Sequence, residues 1–223
     1  MLTAVQCLDV SALEDEAQYL RAYNLCAAHR QEKADSLKQA TDKRLCVGAW
    51  LLLRQMLNTI GYDANKESLG YGKYGKPFFM NRPGLSFSLS HSGRIVLCAL
   101  SDRAVGCDVE RLNRLKDRTA ARCFHSAEIA ALQSAGVTNS ESIWTLKESF
   151  VKCIGQGLSC PFNSFSVCSE GKLADTIVFQ EKTYQLYPLA IDSTYTAACC
   201  IEGEKRERID LSRPPTDIVS LLQ

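Results

Sequence analysis

Two carboxylates open the chemistry of this chain: Asp108 and Glu110, in Val105-Gly-Cys-Asp-Val-Glu-Arg111. On a strand, side chains two residues apart leave on the same face. Side by side they repel, so a cation between them is attractive. Hard oxygen ligands suit Mg²⁺ or Mn²⁺ rather than zinc. Such a pair at a strand end is also an ordinary solvated edge, so it needs company. Trp144-Thr-Leu-Lys-Glu-Ser-Phe-Val-Lys152 supplies it. On a helix, Trp144, Glu148 and Lys152 are successive i,i+4 neighbours on one face, with Lys147 beside them. A surface Glu–Lys pair on an amphipathic helix has the same spacing, but it explains less well why Trp144 shares that face. Glu148 can complete a metal site with Asp108 and Glu110, and lysines beside it can grip phosphate. Three carboxylates, a divalent metal and lysines are the parts of a phosphate-transfer site, where positioning and charge neutralisation do most of the catalysis.

A third segment, Phe87-Ser-Leu-Ser-His-Ser-Gly93, places Ser90 next to His91. Adjacent residues on a strand point to opposite faces, so they are not a nucleophile and its base. Hydrogen bonding and partial positive charge near an anionic ligand suit them better. A fourth, Gly70-Tyr-Gly-Lys-Tyr-Gly-Lys76, mimics two phosphate loops. A P-loop needs Ser or Thr next and then a helix; Pro77 follows instead. A dinucleotide turn needs a strand before and a helix after, and neither is present. What remains is a turn that presents Lys76.

The elements that must position these residues are legible in outline. Leu2–Val10 reads as a strand, and Ser11 with Glu14 as a capping box opening a helix. Leu45, Ala49, Trp50, Leu52, Leu53, Met56 and Leu57 recur at helical spacing, with Gly61 as a stop. Phe87–Leu89 and Ile95–Leu100 read as two strands, and Ala104–Val109 as a third. Ser126 can cap a helix that Gly136 ends, and a further helix runs Ser140–Ile154 and stops at Gly155. Ser164–Val167, Ile177–Phe179, Tyr184–Leu189 and Tyr195–Ile201 are strand-like. Residues 202–217 read as a charged surface tail. The class is α+β, with two halves of helices and antiparallel strands joined near Asp102.

Composition narrows the function. The chain has 223 residues, 46% hydrophobic and 23% charged, which suits a soluble globular protein. A net charge of +1 excludes nucleic-acid binding by bulk charge. Val47–Leu53 is the longest apolar run, far short of the about 20 residues of a membrane span. The start shows no signal or transit pattern. The 11 cysteines are scattered without a C-x-x-C and read as free buried thiols of a reducing cytosol.

Together these segments resemble the 4′-phosphopantetheinyl transferases, specifically the larger bacterial class that activates peptide and polyketide synthases. The matching pieces are Tyr74-Gly-Lys-Pro77, Phe87–Gly93, Val105–Glu110, Phe124-x-x-x-Glu128 and Trp144–Lys152. The likeness continues through Cys153–Ser159 and Phe162–Val167 and covers roughly residues 28 to 200. It departs at Ser88 and Leu45, where Asn and Thr are usual. The resemblance implies a pseudo-dimer of two similar α+β halves, 1–103 and 104–223, each with helices on an antiparallel sheet and the active site at their interface. It implies transfer of the phosphopantetheine arm of coenzyme A to a serine of an apo acyl or peptidyl carrier protein, releasing adenosine 3′,5′-bisphosphate.

By that resemblance, Asp108, Glu110 and Glu148 hold Mg²⁺, with Mn²⁺ not separable by ligand type. Lys147 and Lys152 lie at the phosphates, and Lys152 neutralises the departing one. Lys76, Ser90 and His91 take the nucleotide end of coenzyme A, with Arg30, Lys33 and Arg44 near its other basic contacts. A serine hydroxyl needs a base; Glu148 is the expected base, directly or through a metal-bound water, or is a ligand only. Residues 111–122 are basic with interleaved leucines, so Arg111, Leu112, Arg114, Leu115 and Arg118 are expected to dock an acidic carrier. The pseudo-dimer implies a monomer, the free thiols a cytoplasmic one, and the net charge and short apolar runs no nucleic-acid or membrane partner. The competing readings are a Mg²⁺-dependent phosphohydrolase and a non-catalytic coenzyme A-binding module.

Overall fold

The computed structural model describes residues 3–206, 209 and 216–222. Before residue 104 the chain forms β1 (Thr3–Asp9), α1 (Glu16–Asn24), α2 (Ala28–Ser36) and α3 (Ala40–Thr59). The hairpin β2 (Leu69–Tyr71) and β3 (Pro77–Phe79) follows, then β4 (Ser86–Ser92) and β5 (Ile95–Ser101). After it come β6 (Val105–Arg111), α4 (Asp117–Cys123), α5 (Ser126–Gln133) and α6 (Ser140–Ile154). The short pair β7 (Cys168–Ser169) and β8 (Lys172–Leu173) leads into β9 (Thr176–Phe179), β10 (Lys182–Ala190) and β11 (Tyr195–Glu202). β12 (Thr216–Asp217) is the last strand described. The class is α+β, as the alternation of patterns implied.

Two four-stranded sheets carry the molecule, in the orders β12-β1-β5-β4 and β6-β11-β10-β9. Every neighbouring pair is antiparallel except β1 with β12. The same order recurs: β1-β5-β4 around α3, and β6-β11-β10 around α6. In each set the strand before the long helix pairs with the last strand of the set.

Period-two alternation divides the apolar residues among three cores. On β5, Val96, Cys98 and Leu100 enter the first core under α3, while Ile95, Leu97 and Ala99 face the other way. Those three meet Val105, Cys107 and Val109 of β6 and Ala197, Cys199 and Ile201 of β11 in a core shared by both sheets. Ala198 and Cys200 turn back under α6. All 11 cysteines are free and ten are buried, so they act as small core residues. No helix among the described residues is long and apolar enough to cross a membrane.

On β6 the face opposite the shared core belongs to Gly106, Asp108 and Glu110, and α6 lies against it. A Cβ on Gly106 would run into the Ser149 carbonyl oxygen and the Cys153 amide nitrogen, both backbone atoms of α6. Glycine thus lets strand and helix touch, which brings Asp108 beside the helix. Gly106→Ala should lower stability by about 1–3 kcal/mol, as overpacking does. A shift of the urea midpoint checks it.

Three local expectations are corrected. Ser11 does not form a capping box or open an α-helix: its amide and hydroxyl both donate to Asp9 Oδ1, at 2.8 and 2.6 Å. Residues 11–14 form a 3-10 turn, and Asp15 caps α1 by accepting from the Gln18 amide. Residues 164–167 are not a strand, because a 3-10 turn at Phe162–Ser164 tucks Phe162 and Phe165 into the second core. The end of the expected tail is structured: β12 pairs with β1, and Ile218 and Leu222 enter the first core. Residues 207–208 and 210–215 of that tail lie outside the described residues. The helices α2 and α4 were not apparent in the apolar spacing.

Candidate active site

α6 builds the centre of the site. Asn139 caps it by accepting from the Ser142 amide at 2.8 Å, and Gly155 ends it at φ 72°, a left-handed conformation that favours glycine. Ile143, Leu146, Phe150 and Val151 bury one side in the second core. The other side carries Trp144, Glu148 and Lys152. Trp144 stacks on Phe162, with ring centroids 5.2 Å apart, which answers why an indole shares a polar face.

Lys152 Nζ donates to Asp108 Oδ1 at 2.6 Å and to Ser90 Oγ at 3.1 Å. Burial alone would lower the Lys152 pKa; the charge and hydrogen bond of Asp108 overcome it and hold the ammonium above its ordinary value. Ser90 Oγ also donates to Asp108 Oδ1 at 2.7 Å. Asp108 is 3% exposed, and its Oδ2 is buried without a hydrogen-bond partner among the described residues. Glu110 lies two residues along β6, with Oε2 accepting from Ser92 Oγ at 3.0 Å. Burial raises its pKa first, and Asp108 adds to it. Glu148 is pushed up to about 7 by burial, then by Asp108 and Glu110, against the pull of Lys152. Three carboxylates share one field here, with a single ammonium among them.

No group of three or more His, Cys, Asp or Glu among the described residues converges closely enough to hold a metal ion. The donor chemistry nevertheless fits a hard divalent cation. A buried carboxylate oxygen without a partner is rare and costly. Here it sits beside two more carboxylates whose charged forms are disfavoured first by burial and then by neighbouring carboxylates. A cation would relieve both conditions, and oxygen-only donors suit Mg²⁺.

A cleft of about 360 Å³ leads away from Lys152 between the two sets of elements. Arg30, Lys33, His91, Lys76 and Lys152 line it, over an apolar floor that includes Trp50, Leu53 and Phe87. A cationic rim above an apolar floor fits a ligand with phosphates at one part and a flat or aliphatic body at another. Loss of surrounding water lowers the pKa of His91, although its outer side stays exposed, and the Lys152 charge adds to the effect. Arg30 lines the cleft while its Nε donates to the Cys46 carbonyl at 3.0 Å.

Several expected positions are corrected. Lys147 is fully buried: its Nζ donates to Glu128 Oε1 at 2.6 Å and to the Phe165 carbonyl at 2.7 Å. Neighbours on a helix differ by about 100° in direction, so Lys147 enters the second core while Glu148 faces the site. Lys76 lines the cleft, but its Nζ donates to the carbonyls of Val105, at 2.9 Å, and Cys153, at 3.0 Å. That ammonium ties the glycine loop to β6 and to the end of α6. Ser90 is buried and engaged with Asp108 and Lys152 rather than turned to a ligand. Arg44 does not line the cleft; it lies 3.9 Å from Glu14, in a separate hollow beside α1.

In the basic segment, Arg111, Arg114 and Arg118 are exposed and Leu112 is half-buried. Leu115 instead packs against the second core. The Arg114 and Leu115 amides donate to Glu141 Oε1, at 3.0 and 3.2 Å, so a buried carboxylate of α6 holds this segment. Sequence reasoning missed Glu141 and the Ser92 hydroxyl, and marked Ser88 only as a departure from the usual Asn. A Ser-x-Ser-x-Ser alternation on a strand was the available signal for the hydroxyls.

A family model described as the 4′-phosphopantetheinyl transferase superfamily matches residues 104–200. A Bacillus subtilis protein named 4′-phosphopantetheinyl transferase is 33% identical over 146 residues, 63% of this chain and 65% of the relative. The 4′-phosphopantetheinyl transferase gsp of Aneurinibacillus migulanus is 29% identical over 164 residues, 70% of this chain and 68% of its own. The 4′-phosphopantetheinyl transferase Sfp of Bacillus subtilis (strain 168) is 27% identical over 188 residues, 81% and 84%.

Proposed function

We propose that this chain, similar to the 4′-phosphopantetheinyl transferase superfamily over residues 104–200 and to transferases of that name over more of its length, moves the phosphopantetheine arm of coenzyme A onto a serine of an apo acyl or peptidyl carrier protein. The observation that carries this is the Lys152–Asp108 pair, with Glu110 and Glu148 beside it, at one end of a cationic cleft. In this reading, residues 1–103 and 104–223 form the two halves of a pseudo-dimer with the site between them. The recurring strand order and the shared core support it, with the segment 216–222 returning to the first half. Because one chain supplies both sides of the cleft, a monomer is expected. Eleven free thiols suit a reducing cytoplasm.

Asp108, Glu110 and Glu148 are the residues that would hold Mg²⁺, and Mn²⁺ suits the same donors. When bound, the ion supplies neutralisation of the coenzyme A pyrophosphate. Arg30, Lys33 and His91 bind the nucleotide end from the cleft wall. Lys76 fixes the loop that borders the cleft. The carrier serine oxygen forms a bond to the β-phosphorus as the bond to adenosine 3′,5′-bisphosphate breaks. Glu148, which faces the site beside Asp108 and Glu110, accepts the serine proton as the general base. Lys152 meets the charge on the departing phosphate.

Intact-mass spectrometry of an apo carrier protein with coenzyme A and Mg²⁺ tests this. The expected result is a gain of one phosphopantetheine group, abolished by EDTA. Phosphate release without a carrier would favour a phosphohydrolase, and coenzyme A binding without transfer a binding module. For docking, Arg111, Arg114 and Arg118 present positive charge to an acidic partner, with Leu112 at its edge. Arg114→Glu with Arg118→Glu should raise KM for the carrier by about tenfold and leave KM for coenzyme A nearly unchanged. Equal effects on both substrates would place docking elsewhere.

A further inference from the structure

Three serines of β4 face β6 at alternate positions, and each bonds to the backbone across the gap. Ser88 Oγ accepts from the Cys107 amide at 3.0 Å, Ser90 Oγ from the Val109 amide at 3.4 Å, and Ser92 Oγ from the Arg111 amide at 3.2 Å. A hydroxyl has one proton and two lone pairs. Where a fixed amide takes a lone pair, the proton is left for a partner of the serine's own. For Ser90 that partner is Asp108 Oδ1, and for Ser92 it is Glu110 Oε2. The same two-bond motif therefore recurs two residues along: amide in, carboxylate out. Ser88 has the amide bond without a carboxylate.

We propose that Ser92 is a positioning residue for the metal-binding carboxylates, aiming Glu110 through a hydroxyl whose direction is set by the Arg111 amide. This rests on the assignment of Asp108, Glu110 and Glu148 as metal ligands. Strand β4 lies before residue 104 and β6 after it, so the packing of one sheet against the other orients the ligand. A free carboxylate of this length has three rotatable bonds and loses entropy on binding a cation; one held by a fixed donor has already lost part of it.

The test is Mn²⁺ affinity, read by electron paramagnetic resonance at saturating coenzyme A, with thermal melting alongside. Ser92→Ala should weaken Mn²⁺ binding by about tenfold, in the range seen when partners of metal ligands are removed. Ser92→Thr keeps the hydroxyl and should restore most of it. Ser88→Ala removes a stitch of the same kind and should leave Mn²⁺ affinity close to wild type. If Ser92→Ala fails to fold, Ser92→Cys, of similar size with a weak donor, takes its place with the same expectation. Wild-type affinity in Ser92→Ala, or in Ser92→Cys where it stands in, or equal weakening by Ser88→Ala, would overturn the positioning role. Absence of Mn²⁺ binding to the wild type would overturn the ligand assignment and this role with it.

Discussion

Glu148→Gln is expected to lower single-turnover transfer by about 10²–10⁴-fold, the range for loss of a general base, while the protein remains folded. Gln keeps the size and loses both the ability to take a proton and the charge that attracts a cation. The fold has little to lose. Burial and the repulsion of Asp108 and Glu110 already disfavour the ionised Glu148, so a neutral side chain relieves the site. A melting temperature at or above wild type, with transfer nearly abolished, is the expected pair of results. Near-normal turnover would show that Glu148 is neither base nor ligand.

Lys147→Met should act in the opposite way, through stability. The Lys147–Glu128 pair is fully buried on both sides. Glu128 also accepts from the His125 and Val167 amides, at 2.8 Å each, and so ties α5 to the segment behind Phe165. Removing the lysine leaves a carboxylate sealed in the second core with amides alone. Breaking such a pair costs about 3–5 kcal/mol, a large share of the about 5–15 kcal/mol that holds a typical domain together. A large fall in the urea midpoint, with coenzyme A affinity unchanged in the fraction that folds, is expected. Adding Glu128→Gln should recover part of the loss, because no unpaired charge then remains. A stable Lys147→Met protein that cannot bind coenzyme A would return this lysine to the cleft.

The two lysines show where reading a sequence stops. Periodicity alone placed α6 at 140–154, with its glycine stop, and put Trp144, Glu148 and Lys152 on one face. Strand alternation likewise set Asp108 and Glu110 on one side of β6. Those are local rules, and the structure obeys them. The fate of a long cationic side chain is not local. Lys147 is decided by Glu128, 19 residues earlier, and Lys76 by carbonyls 29 and 77 residues away. Arg44 turns to Glu14 for the same kind of reason. A lysine reaches its partner through four flexible bonds, so only the assembled fold determines which partner it meets.

The core shared by the two sheets has a consequence for the chain as a polymer. Only residues 102–104 separate β5 from β6, and these strands contribute Leu97, Ala99, Val105 and Cys107 to that core. So short a tether gives each partner a local concentration in the millimolar range or above. The face-to-face contact can therefore be one that would dissociate as two free polypeptides at cellular dilution. A single cut between Asp102 and Ala104 would turn a first-order docking into a second-order one. Assembly would then depend on protein concentration, and each fragment would carry an apolar sheet face into water.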